Sequence, residues 1–231
     1  ASRLQQKGDW EGAAAALQAI HDEYPDNPVF RARAKLAQAG MADKRGQFGA
    51  AVDLYRDVAI AHVDTGMTAA AHFDQATLMR RRGDLEGALP LMNAALEALP
   101  KQHTMRGAIA VERSELLMEM GAGSPAEMQA MLSEARDAGL EDEQPNAYTH
   151  LLLYLAQALA GADRDDDALQ TFQRVAESVA AADDPSLKHA AVEGQVASMV
   201  ALGRTDQADA LVNNTPLSAM TSGEAGETCL A

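Results

Sequence analysis

The stretch Gly83-Asp84-Leu85-Glu86-Gly87-Ala88 decides the fold, because its pattern recurs along the chain at a nearly constant spacing. Gly8 to Ala13 and Gly46 to Ala51 repeat it, and Gly203 precedes Ala208 by the same five residues. The first three glycines are 38 and 37 residues apart, and the remaining distance divides into steps of about 40. A period of this length is typical of a solenoid, in which small units stack on their neighbours.

Each copy has the composition of a turn between two helices. A glycine ends the first helix, a polar residue caps the second, and an alanine stands where the helices approach closely. Two degenerate copies follow the same plan. Gly121 to Met128 offers Ser124 as cap and Pro125 as first helical residue, and Gly161 to Ala168 keeps the turn and the alanine. The pattern therefore predicts helical hairpins with six second helices.

Bulky apolar residues follow the alanine positions at helical spacing, which predicts a buried seam between units. Four residues on stand Leu17, Tyr55, Met92, Leu132, Phe172 and Val212. Three residues further stand Ile20, Val58, Ala95, Ala135 and Val175.

These residues resemble the second half of the tetratricopeptide repeat. The residues that carry the resemblance are Gly8, Trp10, Ala13, Leu17, Ile20 and Pro25, and then Gly83, Leu85, Ala88, Met92, Ala95 and Pro100. The resemblance covers roughly residues 1–215, with a lengthened period of about 37–41 residues and with Ala39 and Ala76 in place of the family's first-helix glycine. It implies an all-α, right-handed α-solenoid of antiparallel helical hairpins, with about five and a half units and a truncated first unit.

Composition agrees with one helical array over residues 1–215. Apolar residues make up 47% of the chain but aromatic residues only 4%, which suits closely packed helices and argues against strands. The most apolar run, Thr149 to Ala162, is too short to cross a bilayer and predicts a buried helix. The Ser-, Thr-, Gly- and Glu-containing residues 216–231 predict a disordered acidic tail.

The single cysteine, Cys229, excludes an internal disulfide and weakly favours the cytoplasm; the alternative is a periplasmic soluble part of an anchored or secreted protein.

Charge is distributed unevenly. Residues 1–113 carry as many acidic as basic side chains, so residues 114–231 hold the whole net charge of −15. An acidic surface repels phosphates and anionic headgroups, so we expect no nucleic-acid binding and no direct membrane insertion.

The sequence offers only partial matches to known metal-binding or catalytic motifs. Asp163, Asp165 and Asp167 have the spacing of a calcium loop, but Ala168 and Arg174 stand where that loop needs glycine and glutamate. We therefore expect these carboxylates to cap the next helix. The histidines occur singly, and no nucleophile, phosphate-loop or zinc motif is present. We therefore expect no metal, no cofactor and no enzymatic activity.

The family register implies a peptide-binding groove lined by the first helices. Arg33, Leu36, Gly40, Asp43 and Lys44 would lie on one helix, and Ala70, Phe73, Thr77, Arg80 and Arg81 on the next, with Arg106 and Arg113 following in a looser register. Arg80 to Arg82 could also simply offset the helix dipole. The predicted partner-binding residues are Arg33, Leu36, Lys44, Phe73, Thr77, Arg80, Arg81 and Arg113, and their cations would suit an acidic peptide.

Three functions follow as hypotheses. The leading one is a non-catalytic scaffold or adaptor that holds a peptide or helix of a partner protein in this groove. The alternative is a ligand- or peptide-responsive regulatory or sensor module of a larger signalling or transcription protein; an enzyme with scattered catalytic groups comes third. Because the chain begins almost directly in a second helix, we expect a segment upstream, or a homodimer through the uncovered apolar side of Trp10, Ala13, Leu17 and Ile20.

Overall fold

A computed structural model describes residues 10–24, 26–61 and 64–215, and all regular structure within these ranges is helical. The all-α prediction is therefore confirmed. The helices are α1 (Trp10–Glu23), α2 (Pro28–Lys44), α3 (Phe48–Ala61), α4 (Thr65–Arg81), α5 (Leu85–Ala98), α6 (Met105–Glu119), α7 (Pro125–Asp137), α8 (Leu140–Glu143), α9 (Pro145–Gly161), α10 (Asp165–Ala176), α11 (Val179–Asp183), α12 (Pro185–Ala201) and α13 (Thr205–Asn214).

The chain divides into two compact units, Ala1–Ile109 and Ala110–Ala231, with the boundary inside α6. In the first unit, α2 pairs with α3 and α4 with α5, as two helical hairpins. Neighbouring hairpins meet through α3 against α4 and through α2 against α4, and α1 packs on α2. The first helices α2 and α4 are therefore direct neighbours.

The second unit repeats this arrangement around α9. This helix packs against α7, α10 and α12, and α12 packs in turn on α10 and α13. The predicted buried helix at Thr149–Ala162 is confirmed, because α9 buries Leu151, Leu152, Leu155 and Leu159 among others. The short helices α8 and α11 in the connections were not predicted.

The predicted glycine turns are confirmed at four places. Gly46, Gly83, Gly121 and Gly203 have φ values of 73°, 82°, 65° and 72°, a region that glycine enters without steric cost. The turn predicted at Gly8 lies outside the described residues, and the turn at Gly161 differs from the prediction. Gly161 is still helical, and Asp163 takes the left-handed conformation with φ 56°, which aspartate tolerates better than most residues.

Side-chain caps also follow the prediction in part. Asp84 accepts a hydrogen bond from the Gly87 amide, and Ser124 forms a capping box with Glu127 before Pro125. The acidic segment Asp163–Asp167 does not cap, so that reading was wrong. Its last three carboxylates instead occupy the first turn of α10, where they offset the helix dipole.

The predicted seam is largely buried. The six alanine positions are at most 3% exposed: Ala13, Ala51, Ala88, Met128, Ala168 and Ala208. Tyr55, Met92, Leu132 and Phe172 are buried as predicted, but Ile20 and Val212 are 37% and 39% exposed. No helix of the described residues follows α13 or precedes α1, so these two side chains lack the neighbour that covers the others. The side chains of Trp10 and Leu17, on which the predicted homodimer depends, and the predicted tail at 216–231 lie outside the described residues.

Candidate functional site

The neighbouring helices α2 and α4 bring together seven of the eight predicted binding residues. Arg33, Leu36 and Lys44 lie on α2, and Phe73, Thr77, Arg80 and Arg81 lie on α4. Residues three or four apart share one side of a helix, so these positions form a continuous surface together with Asp43 and Asp74. We call it the first-helix face.

Arg81 reaches the first-helix face as half of an ion pair. Its Nη2 atom lies 2.5 Å from Oδ2 of Asp43 on the neighbouring helix. The Asp43 side chain is only 14% exposed, whereas the Arg81 side chain is 59% exposed. The positive charge of Arg81 is therefore largely balanced within the protein.

The other cations of this region have different surroundings. The Arg82 guanidinium lies 4.1 Å from the centroid of the Phe48 ring, a cation–π distance. Arg80 and Lys44 take part in polar interactions of their own. Arg33 is exposed, and the described residues offer it no ion-pair partner. Arg33 is thus the cation of this face that is best placed to meet a partner.

The uncharged predicted residues are half-buried. Leu36 packs on two core clusters, one around Val58 and one around Tyr55, so it mainly supports the helix from below. The hydroxyl oxygen of Thr77 is buried without a hydrogen-bond partner in the described structure. Phe73 is half-buried on α4 and leaves part of its ring available.

Asp74 is a residue of this face that the prediction missed. Burial, followed by the nearby negative charge of Asp43, raises the pKa of its carboxyl from 3.8 to about 6. The side chain nevertheless remains exposed to solvent. Asp74 stands three residues before Thr77, so helical spacing alone would have placed it on this face.

Tyr55 extends from α3 toward Gly40 of α2. The residue is 3% exposed, and its hydroxyl oxygen lies 3.9 Å from the place where a Cβ on Gly40 would stand. The described residues provide no hydrogen bond to this hydroxyl. Burial, then the charges of Asp74 and Asp43, raise its pKa, while Arg81 acts in the opposite direction. Sequence reasoning had identified Tyr55 only as a packing residue.

Arg113, the eighth predicted residue, belongs to the second unit. It is half-buried, and its Nη1 atom lies 2.7 Å from the Met131 sulfur. Two helical positions away, Glu115 accepts a hydrogen bond of 2.5 Å from the Tyr154 hydroxyl, and His150 stacks on the Tyr154 ring. The first helices α6 and α9 of this unit are therefore linked by a hydrogen bond between Glu115 and Tyr154.

Arg106, which the looser register also suggested, has a structural role. It is 8% exposed, and its Nη1 atom donates hydrogen bonds to the carbonyl oxygens of Leu96 and Leu99 at 2.6 and 3.1 Å. These carbonyls lie at the C-terminal end of α5, where the last carbonyls of a helix lack their usual partners, and the Leu96 carbonyl also accepts a hydrogen bond from the Leu99 amide. The guanidinium therefore supplies hydrogen-bond donors to the backbone carbonyls at the C-terminal end of α5.

Acidic side chains near the start of α10 form ion pairs with arginines. Around the calcium-like segment, Arg164 pairs with Asp167 and Arg204 pairs with Asp166, each at 2.6 Å. Among the described residues, no group of three or more potential ligands is placed to hold a metal ion. The described helices also include none with the length and apolarity needed to cross a membrane.

Comparisons with known proteins agree with this architecture. Two tetratricopeptide-repeat models match the sequence, one over residues 36–103 and the other over residues 1–27 and 150–179. Searched against curated protein sequences, the chain gives no significant match.

Solved structures of similar fold include several repeat proteins. BtubC (BKLC) from P. vanneervenii superposes with a TM-score of 0.72 at 14% identity, over 97% of this chain and 96% of its own. A tetratricopeptide repeat protein from Parabacteroides merdae gives 0.59 at 18% identity, over 95% and 79%. YrrB, described as a TPR protein with an unusual peptide-binding site, gives 0.58 at 16% identity, over 90% and 97%. The two sequence models together match more than half of the residues, and the hairpins pack as that family's units do: the chain belongs to the tetratricopeptide-repeat family.

Proposed function

We propose that this chain is a non-catalytic interaction scaffold that binds a peptide or helix of a partner protein along the first-helix face of its first unit. The observation that carries the proposal is the pairing of α2 with α4, which collects Phe73 and six charged side chains on one accessible surface. The packing alanines and seam residues already bury the opposite sides of these helices. The charged face is therefore available for a partner.

The charge of this face favours an acidic segment. Arg33, Lys44, Arg80 and Arg81 oppose two carboxylates, so the face is positive overall although the chain carries a net charge of −15. Charges at the rim of an interface mainly steer association and set its salt dependence. An acidic peptide should therefore bind faster than its neutral counterpart, and the advantage should shrink as salt is added.

Similarity to YrrB supports a peptide as the type of ligand. Its described peptide-binding site shows that a chain of this fold can bind a peptide, although the 16% identity carries no residue correspondence. For the present chain, the site is assigned from Arg33 and Phe73 and their surroundings.

The proposal can be tested with peptides selected from a random displayed library. Charge reversal at Arg33 (Arg33→Glu) should weaken the selected peptides several-fold, since it replaces an attractive charge with a repulsive one. The matched control is Arg56→Glu, an exposed position on the second helix α3 whose partner is Asp53 within the same helix. Equal effects of the two reversals, or the absence of any selected peptide, would contradict binding on the first-helix face.

A further inference from the structure

Met131 of α7 has polar surroundings that are unusual for a methionine of the core. The Nη1 atom of Arg113, on the preceding helix α6, lies 2.7 Å from its sulfur. The hydroxyl oxygen of Ser114, the next residue of α6, lies 3.8 Å from the same sulfur and is part of a completely buried side chain. Two hydrogen-bond donors therefore converge on one thioether between α6 and α7.

The thioether is a poor partner for these donors. A thioether sulfur is only a weak acceptor, whereas hydrogen bonds from a guanidinium are strongest when they reach a polar oxygen. The Ser114 hydroxyl has a single proton, which it also shares with the Ala110 carbonyl oxygen at 2.8 Å. An oxygen atom bonded to the Met131 sulfur would therefore give Arg113 a stronger acceptor in nearly the same place.

Other methionines of the core have different surroundings. Met128, one turn earlier on α7, is 1% exposed, and Met92 of α5 is completely buried. The hydrogen bonds of the described residues give Met131 two donors and give none to these two sulfurs. Oxidation of such a sulfur places a polar oxygen in apolar surroundings and disrupts the core. At Met131, which is 9% exposed, the same oxygen would meet two donors.

We propose that Met131 is a site of reversible oxidation, at which Arg113 and Ser114 stabilise the sulfoxide. The oxidant is a peroxide. One oxygen of hydrogen peroxide forms a bond to the sulfur, the O–O bond breaks, and the other oxygen leaves as water. The sulfur loses two electrons and the peroxide gains them. Sulfoxide reductases return methionine sulfoxide to the thioether, which makes the modification reversible.

The oxidised side chain would connect α6 to α7 through a hydrogen bond from the Arg113 guanidinium to the sulfoxide oxygen. All the residues involved belong to the second unit, so this inference is independent of binding on the first-helix face. We expect the chain to remain folded after oxidation at Met131. Oxidation at Met128, without donors, should instead favour unfolding.

Glutamine substitutions test the accommodation of a polar oxygen without any oxidant. Glutamine resembles methionine sulfoxide in length, and its side-chain carbonyl oxygen accepts hydrogen bonds. Met131→Gln should lower the melting temperature by less than about 3 °C, whereas Met128→Gln, the matched control on the same helix, should lower it by about 5 °C or more. Equal losses in these two variants would overturn the proposal.

Oxidation of the chain itself tests the modification. Residues 1–231 are treated with hydrogen peroxide, a brief proteolysis removes unfolded molecules, and mass spectrometry measures oxidation at each methionine before and after digestion. The Met131 sulfoxide should be equally frequent before and after digestion, because chains that carry it remain folded. A Met131 that stays unoxidised in the folded chain, or a sulfoxide that digestion depletes several-fold, would overturn the proposal.

Variants of Arg113 separate its donor role from general tolerance of this position. In Arg113→Leu, digestion should deplete the Met131 sulfoxide several-fold, since the main donor is absent. Arg113→Lys keeps a cationic donor and should retain more of the sulfoxide than Arg113→Leu. Equal survival of the sulfoxide in the parent and in Arg113→Leu would show that Arg113 does not stabilise it and would overturn the assignment.

Discussion

Replacement of Gly194 by alanine tests how closely the repeats pack. Gly194 lies within α12 opposite Phe172 of α10. A Cβ at this position would stand 2.4 Å from the Cε1 and Cζ atoms of the ring and 2.6 Å from Cδ1. Ordinary contacts of this kind are 3.4–4 Å, so the ring or the helix must move by about 1 Å. Phe172 is only 3% exposed, which leaves the ring little room to turn away.

The expected magnitude follows from two opposing effects. Overpacking of a core costs about 1–3 kcal/mol, whereas alanine is favoured over glycine inside a helix by about 1 kcal/mol. Gly40→Ala supplies the control, because Gly40 also lies within a first helix and faces an aromatic residue, but its Cβ would be 3.9 Å from the nearest atom, the Tyr55 hydroxyl oxygen. The helix preference is common to both variants. The difference between their free energies of unfolding therefore isolates the clash, at about 1–3 kcal/mol.

Urea denaturation followed by circular dichroism would measure both variants under the same conditions. Gly40→Ala should be more stable than the parent, and Gly194→Ala should be less stable than Gly40→Ala by the amount given. Phe172→Leu in the Gly194→Ala background should recover part of the loss, since the two positions are in contact. A Gly194→Ala variant as stable as Gly40→Ala would refute the close approach of α10 and α12.

Three further variants test individual features of the structure. Ala88→Leu should lower the free energy of unfolding by about 1–3 kcal/mol, because Ala88 is completely buried at a helix crossing, whereas Ala50→Leu at an exposed position should change it little in the same denaturation experiment. Asp74→Asn should stabilise the protein at neutral pH but not near pH 4. The folded-state pKa of Asp74 is raised from 3.8 to about 6, so the parent loses stability as the pH rises through this interval. Thermal unfolding at both pH values, with Glu97→Gln as the reference, would measure the difference. Ser124→Ala should cost about 1 kcal/mol by loss of the capping box, and an unchanged melting temperature would show that the cap does not contribute.

The local pattern of the repeat was predictable because each feature depends on neighbours in sequence. One hairpin contains all three features: a glycine with positive φ, a cap three residues before its amide partner, and an alanine where two helices cross. Gly83, Asp84 and Ala88 therefore have the roles that their spacing indicated. The seam pattern failed at the ends of the array, where Ile20 and Val212 follow it but lack a covering neighbour among the described helices.

The content of the first-helix face was only partly predictable. Helical spacing placed Arg33 and Phe73 on α2 and α4, but the state of Arg81 depends on a carboxylate 38 residues away. Asp166 with Arg204 and Glu115 with Tyr154 are contacts at almost the same separation, 38 and 39 residues. Complementary pairs one repeat apart are therefore a sequence signal that could have revealed these contacts. The raised pKa values of Asp74 and Tyr55 depend on groups of three helices at once and have no such signal.

The location of a bound peptide can be measured directly by attaching a spin label to a selected peptide and recording the relaxation of backbone amide signals in the labelled chain. The proposed scaffold predicts strong broadening at Arg33 and Phe73 on the first helices α2 and α4, and little effect at Arg56 on α3 or Glu97 on α5. Broadening centred on Arg56 and Glu97, with Arg33 and Phe73 unaffected, would contradict binding on the first-helix face.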